Sequence, residues 1–331
     1  DNVSSWVDVR KEPEWSYAGP SGRVAISADG EYIAVAAASK VYLFDKDSNT
    51  PLWSYSTGNE IFAVDISSDG EYIVAGSKNE KAYLFRYNSS SYVWRYDVGN
   101  DVYAVSISSD GEYIAVGGKN NKLFFFEGTD GDPLWTSDEL EGDIVAISIS
   151  SDGGYIAVGT DASSFGYLYL FSKDDAEPVW VDTTLGVVAS LEIDSDGTNI
   201  ALASEDYYVY YYSTSSSSSI WKYDTGNKAT SVSLSSDGNL LAAGSQNRYL
   251  YFFNTSSSQP LWSALTGASI SSISLTPDGS NLAAASGKQL YFFNKNSLTF
   301  IWRQDTIGSI QDIAISSDSY YILMGDKASS G

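Results

Sequence analysis

The chain consists of short blocks rich in apolar residues, each about as long as a β-strand, which are separated by short polar segments. In one representative stretch the blocks are Ile61–Ser67, Glu71–Ser77, Lys81–Tyr87 and Tyr92–Val98, here designated strands a, b, c and d. Each block is rich in β-branched and aromatic residues and is bounded by Gly, Asn, Asp or Ser, as is typical of strands separated by turns. No segment shows the sustained apolar period of an amphipathic helix, so we expect a nearly all-β protein.

The block pattern occurs eight times, and an Asp-Gly step between strands a and b marks seven of the copies, with Asp318-Ser319 in the eighth. A period of this length with four strands per copy indicates a β-propeller. In the last copy Ser319 replaces glycine, which predicts either mild strain or a different turn. The steps begin at Asp29, Asp69, Asp110, Asp152, Asp196, Asp237, Asp278 and Asp318, with spacings of 40, 41, 42, 44, 41, 41 and 40 residues.

Strand d of each copy carries one tryptophan. A large ring at the same position in every sheet is expected to pack between neighbouring blades. Strand c is instead a continuous apolar run, which suits a strand covered on both faces. The tryptophans are Trp15, Trp53, Trp94, Trp135, Trp180, Trp221, Trp262 and Trp302.

The two ends of the chain complement each other. The residues before the first Asp-Gly show only a c–d pattern, around Trp6 and Trp15, and the last copy shows only strands a and b. We therefore expect one domain, 1–331, folded as an all-β, eight-bladed propeller of four-stranded antiparallel blades, whose last blade combines N-terminal strands c and d with C-terminal strands a and b. The expected blades span residues 23–57, 61–98, 102–138, 144–183, 187–224, 229–265, 270–305 and 310–326 with 3–18.

The amino-acid composition excludes several classes of partner and catalytic site. A formal charge of −23 argues against nucleic acid or an anionic membrane as the partner, and no apolar run approaches the length of a membrane span. The absence of cysteine and histidine excludes thiolate sites, His-based catalytic triads and zinc hydrolase sites. The chain starts at Asp1 rather than Met, which fits a mature secreted or cell-surface protein or a part of a longer chain.

The repeats resemble two known groups of propellers. The turn of Leu275-Thr-Pro-Asp-Gly and its relatives resembles WD40-like and TolB-like repeats, and the strand d tryptophans in eight copies resemble quinoprotein-like (PQQ-type) propellers. The quinoprotein dehydrogenase site needs a vicinal cysteine pair, which this sequence lacks, so that activity is not carried over. The resemblance implies a prokaryotic surface propeller with a binding role.

Candidate binding residues lie where the d–a loops should meet the channel mouth. These loops contribute Glu60, Asp101, Asp143 and Lys228, and the acidic members could hold a cation or recognise a basic partner. Ordinary solvated loop charge is the alternative.

Two carboxylates of one inner strand, Glu192 and Asp194, are candidates for paired-carboxylate chemistry. They lie two residues apart and should share a face of strand a. A structural role, in which hydroxyl or amide groups bind each carboxylate, is the alternative.

Calcium binding and glycosylation are two further predictions, and apart from Asn2 the residues concerned lie on the c–d loops. Asp45-x-Asp47-x-Asn49 imitates the start of a calcium loop, although Thr50 and Ser56 stand where such a loop has Gly and Glu. Asn-x-Ser/Thr sequons that predict glycosylation lie at Asn2, Asn88 and Asn254.

These patterns lead to a first hypothesis of a non-catalytic extracellular or cell-surface scaffold that binds proteins or assembles with itself, with no cofactor. The alternatives are a carboxylate-dependent carbohydrate-active enzyme and a Ca²⁺-dependent binding domain, both using the channel mouth. A glycan is a further candidate ligand.

Overall fold

The computed structural model describes residues 12–20 and 22–327, and every regular element in that part of the chain is a β-strand. The strands form seven four-stranded sheets and one two-stranded sheet. Within each sheet the strands pair antiparallel with their neighbours in chain order, as a meander. The predicted eight-bladed all-β propeller is thereby confirmed.

Strands a to d follow one another in each of the seven complete blades. The first three blades contain β1 (Gly22–Ile26), β2 (Tyr32–Ala37), β3 (Lys40–Asp45), β4 (Trp53–Ser56); β5 (Ile61–Ile66), β6 (Tyr72–Ser77), β7 (Lys81–Arg86), β8 (Tyr92–Asp97); and β9 (Val102–Ile107), β10 (Tyr113–Gly118), β11 (Phe124–Glu127), β12 (Pro133–Thr136). The fourth and fifth contain β13 (Asp143–Ile149), β14 (Tyr155–Asp161), β15 (Gly166–Ser172), β16 (Trp180–Thr184); and β17 (Val188–Ile193), β18 (Asn199–Ser204), β19 (Tyr208–Ser213), β20 (Trp221–Asp224). The last three contain β21 (Ala229–Leu234), β22 (Leu240–Ser245), β23 (Tyr249–Asn254), β24 (Trp262–Leu265); β25 (Ile270–Leu275), β26 (Asn281–Ser286), β27 (Gln289–Asn294), β28 (Trp302–Asp305); and β29 (Ser309–Ile315), β30 (Ile322–Lys327).

The strand d tryptophans join each blade to the next. Trp53 lies against Phe85 of the following blade, and its Nε1 donates to Tyr87 O at 2.7 Å. Because the indole N–H finds a carbonyl, the ring can be buried between blades without an unsatisfied donor. The predicted role of these tryptophans is confirmed by the same bond from Trp94 to Gly128 O, Trp135 to Lys173 O, Trp180 to Thr214 O, Trp221 to Thr255 O and Trp262 to Lys295 O.

The Ser-x-Asp-Gly turn between strands a and b is closed by its own side chains. Ser67 Oγ donates to Asp69 Oδ1 at 2.6 Å and accepts from Tyr72 N at 3.0 Å. Gly70 adopts a φ of +72°, and a Cβ built there would lie 2.6 Å from Cδ2 of Tyr32 in the preceding blade. Glycine is therefore required both for the backbone and for the contact between blades.

The last turn keeps this shape without glycine. Ser319 has a φ of +64°, in the left-handed region that disfavours a residue with a Cβ. Its Oγ accepts from Nδ2 of Asn281 at 3.0 Å, and Asn281 occupies the place of the usual tyrosine in the preceding blade. Of the two expected outcomes, the structure shows the strained turn rather than a different one.

The two-stranded sheet β29–β30 closes the ring by packing between β25 and β1. Asp312 Oδ2 accepts from Val24 N at 3.1 Å, and Ser317 N donates to Ala28 O at 3.0 Å. Trp15 docks on the first blade as the other tryptophans do on theirs, with Nε1 2.5 Å from Lys46 O. The predicted N-terminal strand c falls on residues outside those described, and residues 12–20 contain no strand. Completion of the last blade by N-terminal strands stays a prediction.

Candidate functional site

The channel wall is built by strand a, which is the inner edge of each sheet and packs against strand a of both neighbouring blades. A polar side chain five residues before the turn glycine accepts a backbone N–H from the next blade. Such bonds satisfy N–H groups that the edge of the sheet leaves unpaired. The pairs are Asp65 Oδ2 with Ile107 N (3.1 Å), Ser148 Oγ with Ile193 N (3.2 Å), Glu192 Oε2 with Leu234 N (2.9 Å), Ser233 Oγ with Leu275 N (3.0 Å) and Ser274 Oγ with Ile315 N (3.2 Å).

Two of these acceptors are carboxyl groups, and Asp312 of β29 is a third carboxyl group that accepts a backbone N–H from the next blade. Burial raises the pKa of Asp65 to about 6 and the pKa of Glu192 to about 7, against the lowering effect of the N–H donors. Burial also raises the pKa of Asp312. Serine makes the same bond at this position in other blades. A structural role in joining neighbouring blades is therefore enough to explain the presence of Asp65 and Glu192.

Asp194 belongs to a different network from Glu192. It follows β17 at the position where other blades have the serine or threonine of the turn, and it is buried. Its carboxylate accepts from the backbone N–H groups of Thr198 at 2.7 Å and Asn199 at 2.9 Å, and from both of their side chains. These partners are not those of Glu192, which lie in the next blade, so the two carboxylates have separate structural surroundings.

Side chains reach the channel mouth through β-bulges. In the described residues, seven of the eight a–b strand pairs carry a bulge near the start of strand a, which leaves one residue out of the ladder. Phe62 and Tyr103 meet edge to face, with ring centroids 5.2 Å apart, whereas Thr230 Oγ1 and Ser271 Oγ each donate to a carbonyl of the following blade. One half of this rim is therefore aromatic or aliphatic and the other polar. The bulged residues are Phe62, Tyr103, Val145, Ala189, Thr230, Ser271 and Gln311.

The sequence matches the family described as Outer membrane protein assembly factor BamB over residues 37–152 and 205–331. The chain belongs to this family. The match confirms the predicted resemblance to quinoprotein-like (PQQ-type) repeats. No curated protein is matched by the sequence.

In this BamB-family propeller, the four predicted mouth residues all lie on the d–a rim, just before or at the start of strand a. Asp101 and Asp143 are electrostatic neighbours: burial raises the pKa of Asp143, nearby Lys119 lowers it, and Asp161 and Asp101 raise it. The structure therefore gathers acidic groups at the aromatic half of the mouth.

The other two predicted mouth residues have cationic or anionic partners of their own. Lys228 Nζ lies 2.5 Å from Glu205 Oε2, and Glu60 Oε2 lies 4.0 Å from Lys78 Nζ. Both pairs are at least partly exposed to solvent, so each contributes little to stability. Each pair is neutral as a whole, so the negative charge of the rim comes from Asp101 and Asp143 rather than from these pairs.

The predicted calcium and glycosylation sites of the described residues lie on the c–d loops, on the opposite face of this protein. Asp45 Oδ1 accepts from Asp47 N at 2.9 Å, and no group of three or more acidic residues in the described ranges is placed to hold a metal. Asn88 is exposed at its turn, Asn254 Oδ1 accepts from Ser256 N at 3.1 Å, and Asn2 lies outside the described residues. Calcium binding and glycosylation stay predictions.

Sequence reasoning missed the apolar residues of the d–a face. Phe62 and Tyr103 could not be separated from the buried strand pattern, because a bulge reverses the side-chain alternation at one residue. Exposed Phe165, Leu185 and Tyr207 also escaped notice. The one available signal was the spacing of 44 residues between Asp152 and Asp196, the longest in the chain. No described segment forms a helix that is long and apolar enough to cross a membrane.

Proposed function

We propose that the protein is a non-catalytic propeller of the cell envelope that binds a protein partner through the face carrying the d–a and b–c loops. Membership of a family described as an outer membrane assembly factor supports both the envelope location and a protein partner. An extracellular position and a scaffold role belong to the same proposal.

The observation that carries this proposal is the construction of the channel mouth. The bulges place Phe62 and Tyr103 beside the rim that contains Asp101 and Asp143. Aromatic side chains on a rigid scaffold supply contact area at low entropic cost, and neighbouring carboxylates select partners of opposite charge. The rim therefore suits a protein surface that combines apolar and basic residues.

Catalysis by the channel carboxylates is less well supported. A carboxyl group with a pKa of about 7, as in Glu192, could serve as a general acid. However, Glu192 accepts a backbone N–H in the same way as Ser233 and Ser274, which have no such chemistry. The proposal therefore assigns no reaction and no cofactor to the channel.

A comparison of two charge-reversed proteins tests this function. Glu60→Lys/Asp101→Lys/Asp143→Lys reverses the proposed face, and Asp47→Lys/Asp130→Lys/Asp174→Lys makes the same change of charge on the opposite c–d loops. Each protein is cross-linked in envelope extracts, and captured proteins are identified by mass spectrometry and re-measured for affinity after purification. We expect a partner that binds the native protein and the c–d variant but not the d–a variant. Equal binding by both variants, or no purified partner, would contradict the proposal.

A further inference from the structure

The complete blades act as internal references for one another, and blade 4 has the longest b–c loop among them, next to blade 5. In blade 4, eight residues separate the paired Gly159 and Leu168, whereas five separate the equivalent Ala203 and Val209 of blade 5. The extension is on the d–a face, at the b–c loop. A change confined to one blade is not needed for the ring, because the other blades close without it.

Three large apolar side chains are exposed at this place. Phe165 is 49% exposed at the end of the extended loop, Leu185 is 74% exposed, and Tyr207 is 48% exposed. Leu185 stands where four other d–a loops have glycine, at Gly58, Gly99, Gly226 and Gly267. We call Phe165, Leu185 and Tyr207 the apolar patch.

The members of the apolar patch are neighbours in space. Gly166 pairs with Thr184 at the end of the β15–β16 ladder, so Phe165 and Leu185 flank the same last pair. Leu185 N donates to Asp206 Oδ2 at 3.1 Å, which places Leu185 beside the b–c loop that carries Tyr207. The patch thus spans the junction of two blades.

The backbone under the patch is held in place. Tyr207 has a φ of +82°, and its carbonyl accepts from both N and Oγ1 of Thr225, at 2.9 and 2.8 Å. The equivalent left-handed residues of blades 2 and 6 are Glu80 and Arg248, which suit an exposed turn better than tyrosine does. An exposed aromatic ring on a fixed turn is a low-entropy anchor for a partner.

The charges around the patch are predominantly negative. Asp206 accepts the backbone N–H of Leu185, Asp161 precedes the extended loop and accepts from Ser163 N at 2.8 Å, and Glu141 is exposed on the preceding d–a loop. Lys119 lies close to Asp143, and two lysines of the neighbouring strand and loop already have partners. Lys228 pairs with Glu205, and Lys222 Nζ lies 4.5 Å from the centroid of the Tyr208 ring.

We propose that the apolar patch is the docking site for a basic segment of the protein partner, in which apolar side chains lie between lysine or arginine residues. This inference rests on the proposed function and adds the position and the chemistry of the partner. Apolar anchors on Phe165, Leu185 and Tyr207 supply the burial, and basic residues complement Asp161, Asp206 and Glu141. A second copy of this chain fits less well, because its net charge of −23 would repel the same acidic border.

A selection of peptides against the intact protein tests the proposal. The probe is a display library of random dodecapeptides, and enriched peptides are synthesised and their Kd values measured at low and high salt. The test variant is Phe165→Ser/Leu185→Ser, with Tyr207→Arg as an independent second variant that introduces the residue of blade 6. The matched control is Ile307→Ser, because Ile307 is 81% exposed on the d–a loop that leads to blade 8.

We expect enriched peptides to combine apolar and basic residues and to bind less tightly at high salt. Their affinity should fall about tenfold or more in both patch variants and stay within about twofold in Ile307→Ser. Circular dichroism melting curves close to that of the native protein would show that these exposed substitutions leave the fold intact.

Several results would overturn the assignment. These are enriched peptides that lack basic residues, equal binding to the native protein and the patch variants, no enriched peptide, or self-association that the patch variants abolish. Peptides that bind the patch variants but not Glu60→Lys/Asp101→Lys/Asp143→Lys would reject the patch while leaving the proposed function in place. Failure of both this selection and the envelope cross-linking would reject both.

Discussion

At the scale of single residues, one position of strand a holds a carboxylate in one blade and a hydroxyl in the next, and both side chains have the same structural role. Glu192 and Ser233 occupy equivalent places in adjacent blades and each accepts a backbone N–H from the next strand a. The carboxylate of Glu192, unlike the hydroxyl, has a raised pKa because burial disfavours its charge. A buried charge that performs the task of a neutral group is expected to reduce stability when it ionises.

This difference predicts a pH-dependent effect of Glu192→Gln, which keeps an acceptor for Leu234 N. The folded protein holds the Glu192 proton up to a pH of about 7, whereas the unfolded chain releases it near its ordinary value, so stability falls as pH rises through that window. At pH 8 the variant should therefore exceed the native protein by about 3 kcal/mol in free energy of unfolding. Near pH 4 the two proteins should agree in denaturant unfolding experiments. A difference that is the same at both pH values would contradict this account.

At the scale of elements, the turn between strands a and b links local conformation to packing between blades. Gly70 of this turn and Gly58 of a d–a loop both have positive φ, at +72° and +85°. A Cβ on Gly58 would meet no atom within 4 Å, whereas one on Gly70 would lie 2.6 Å from Tyr32 Cδ2. Gly58 therefore tests only the cost of a Cβ at positive φ, whereas Gly70 tests that cost together with a steric clash against Tyr32.

We expect Gly58→Ala to cost about 1 kcal/mol, the usual penalty for a Cβ in the left-handed region. Gly70→Ala should cost more, about 2–4 kcal/mol, because Tyr32 must also move. Chemical denaturation of both variants measures the difference directly. Equal losses would show that the contact with Tyr32 adapts without cost.

The elements were largely predictable from the sequence, and the site was not. The Asp-Gly turns and the strand d tryptophans, such as Trp53, repeat often enough to identify blades and their contacts. Glu192 and Asp194 illustrate the limit, because spacing along a strand does not reveal which backbone groups each carboxylate will bind. The apolar patch was missed since exposure of Leu185 depends on a loop conformation that residue type alone does not determine.

At the scale of the whole molecule, one junction of the ring joins strands from the two ends of the described chain, β29–β30 and β1. Blades 8 and 1 are joined by bonds such as Val24 N to Asp312 Oδ2 and Ser317 N to Ala28 O. Trp15 makes the same contact as Trp221 does between blades 5 and 6, with its Nε1 donating to a backbone carbonyl. This contact connects the N-terminal residues to Lys46 of the first blade. Elsewhere, a direct chain connection keeps neighbouring blades close even if a contact is lost.

This asymmetry predicts different consequences for two equivalent substitutions. Trp15→Ala and Trp221→Ala each remove a docked ring and should each cost about 3–5 kcal/mol. Only Trp15→Ala should also open the junction locally, because loss of that contact allows the two ends to separate before the blades unfold. Hydrogen exchange followed by mass spectrometry should then show faster exchange in peptides containing Val24 and Ser317 for Trp15→Ala, and not for Trp221→Ala at equal loss of stability. Uniform acceleration in both variants would mean that β29, β30 and β1 hold the ring closed without Trp15.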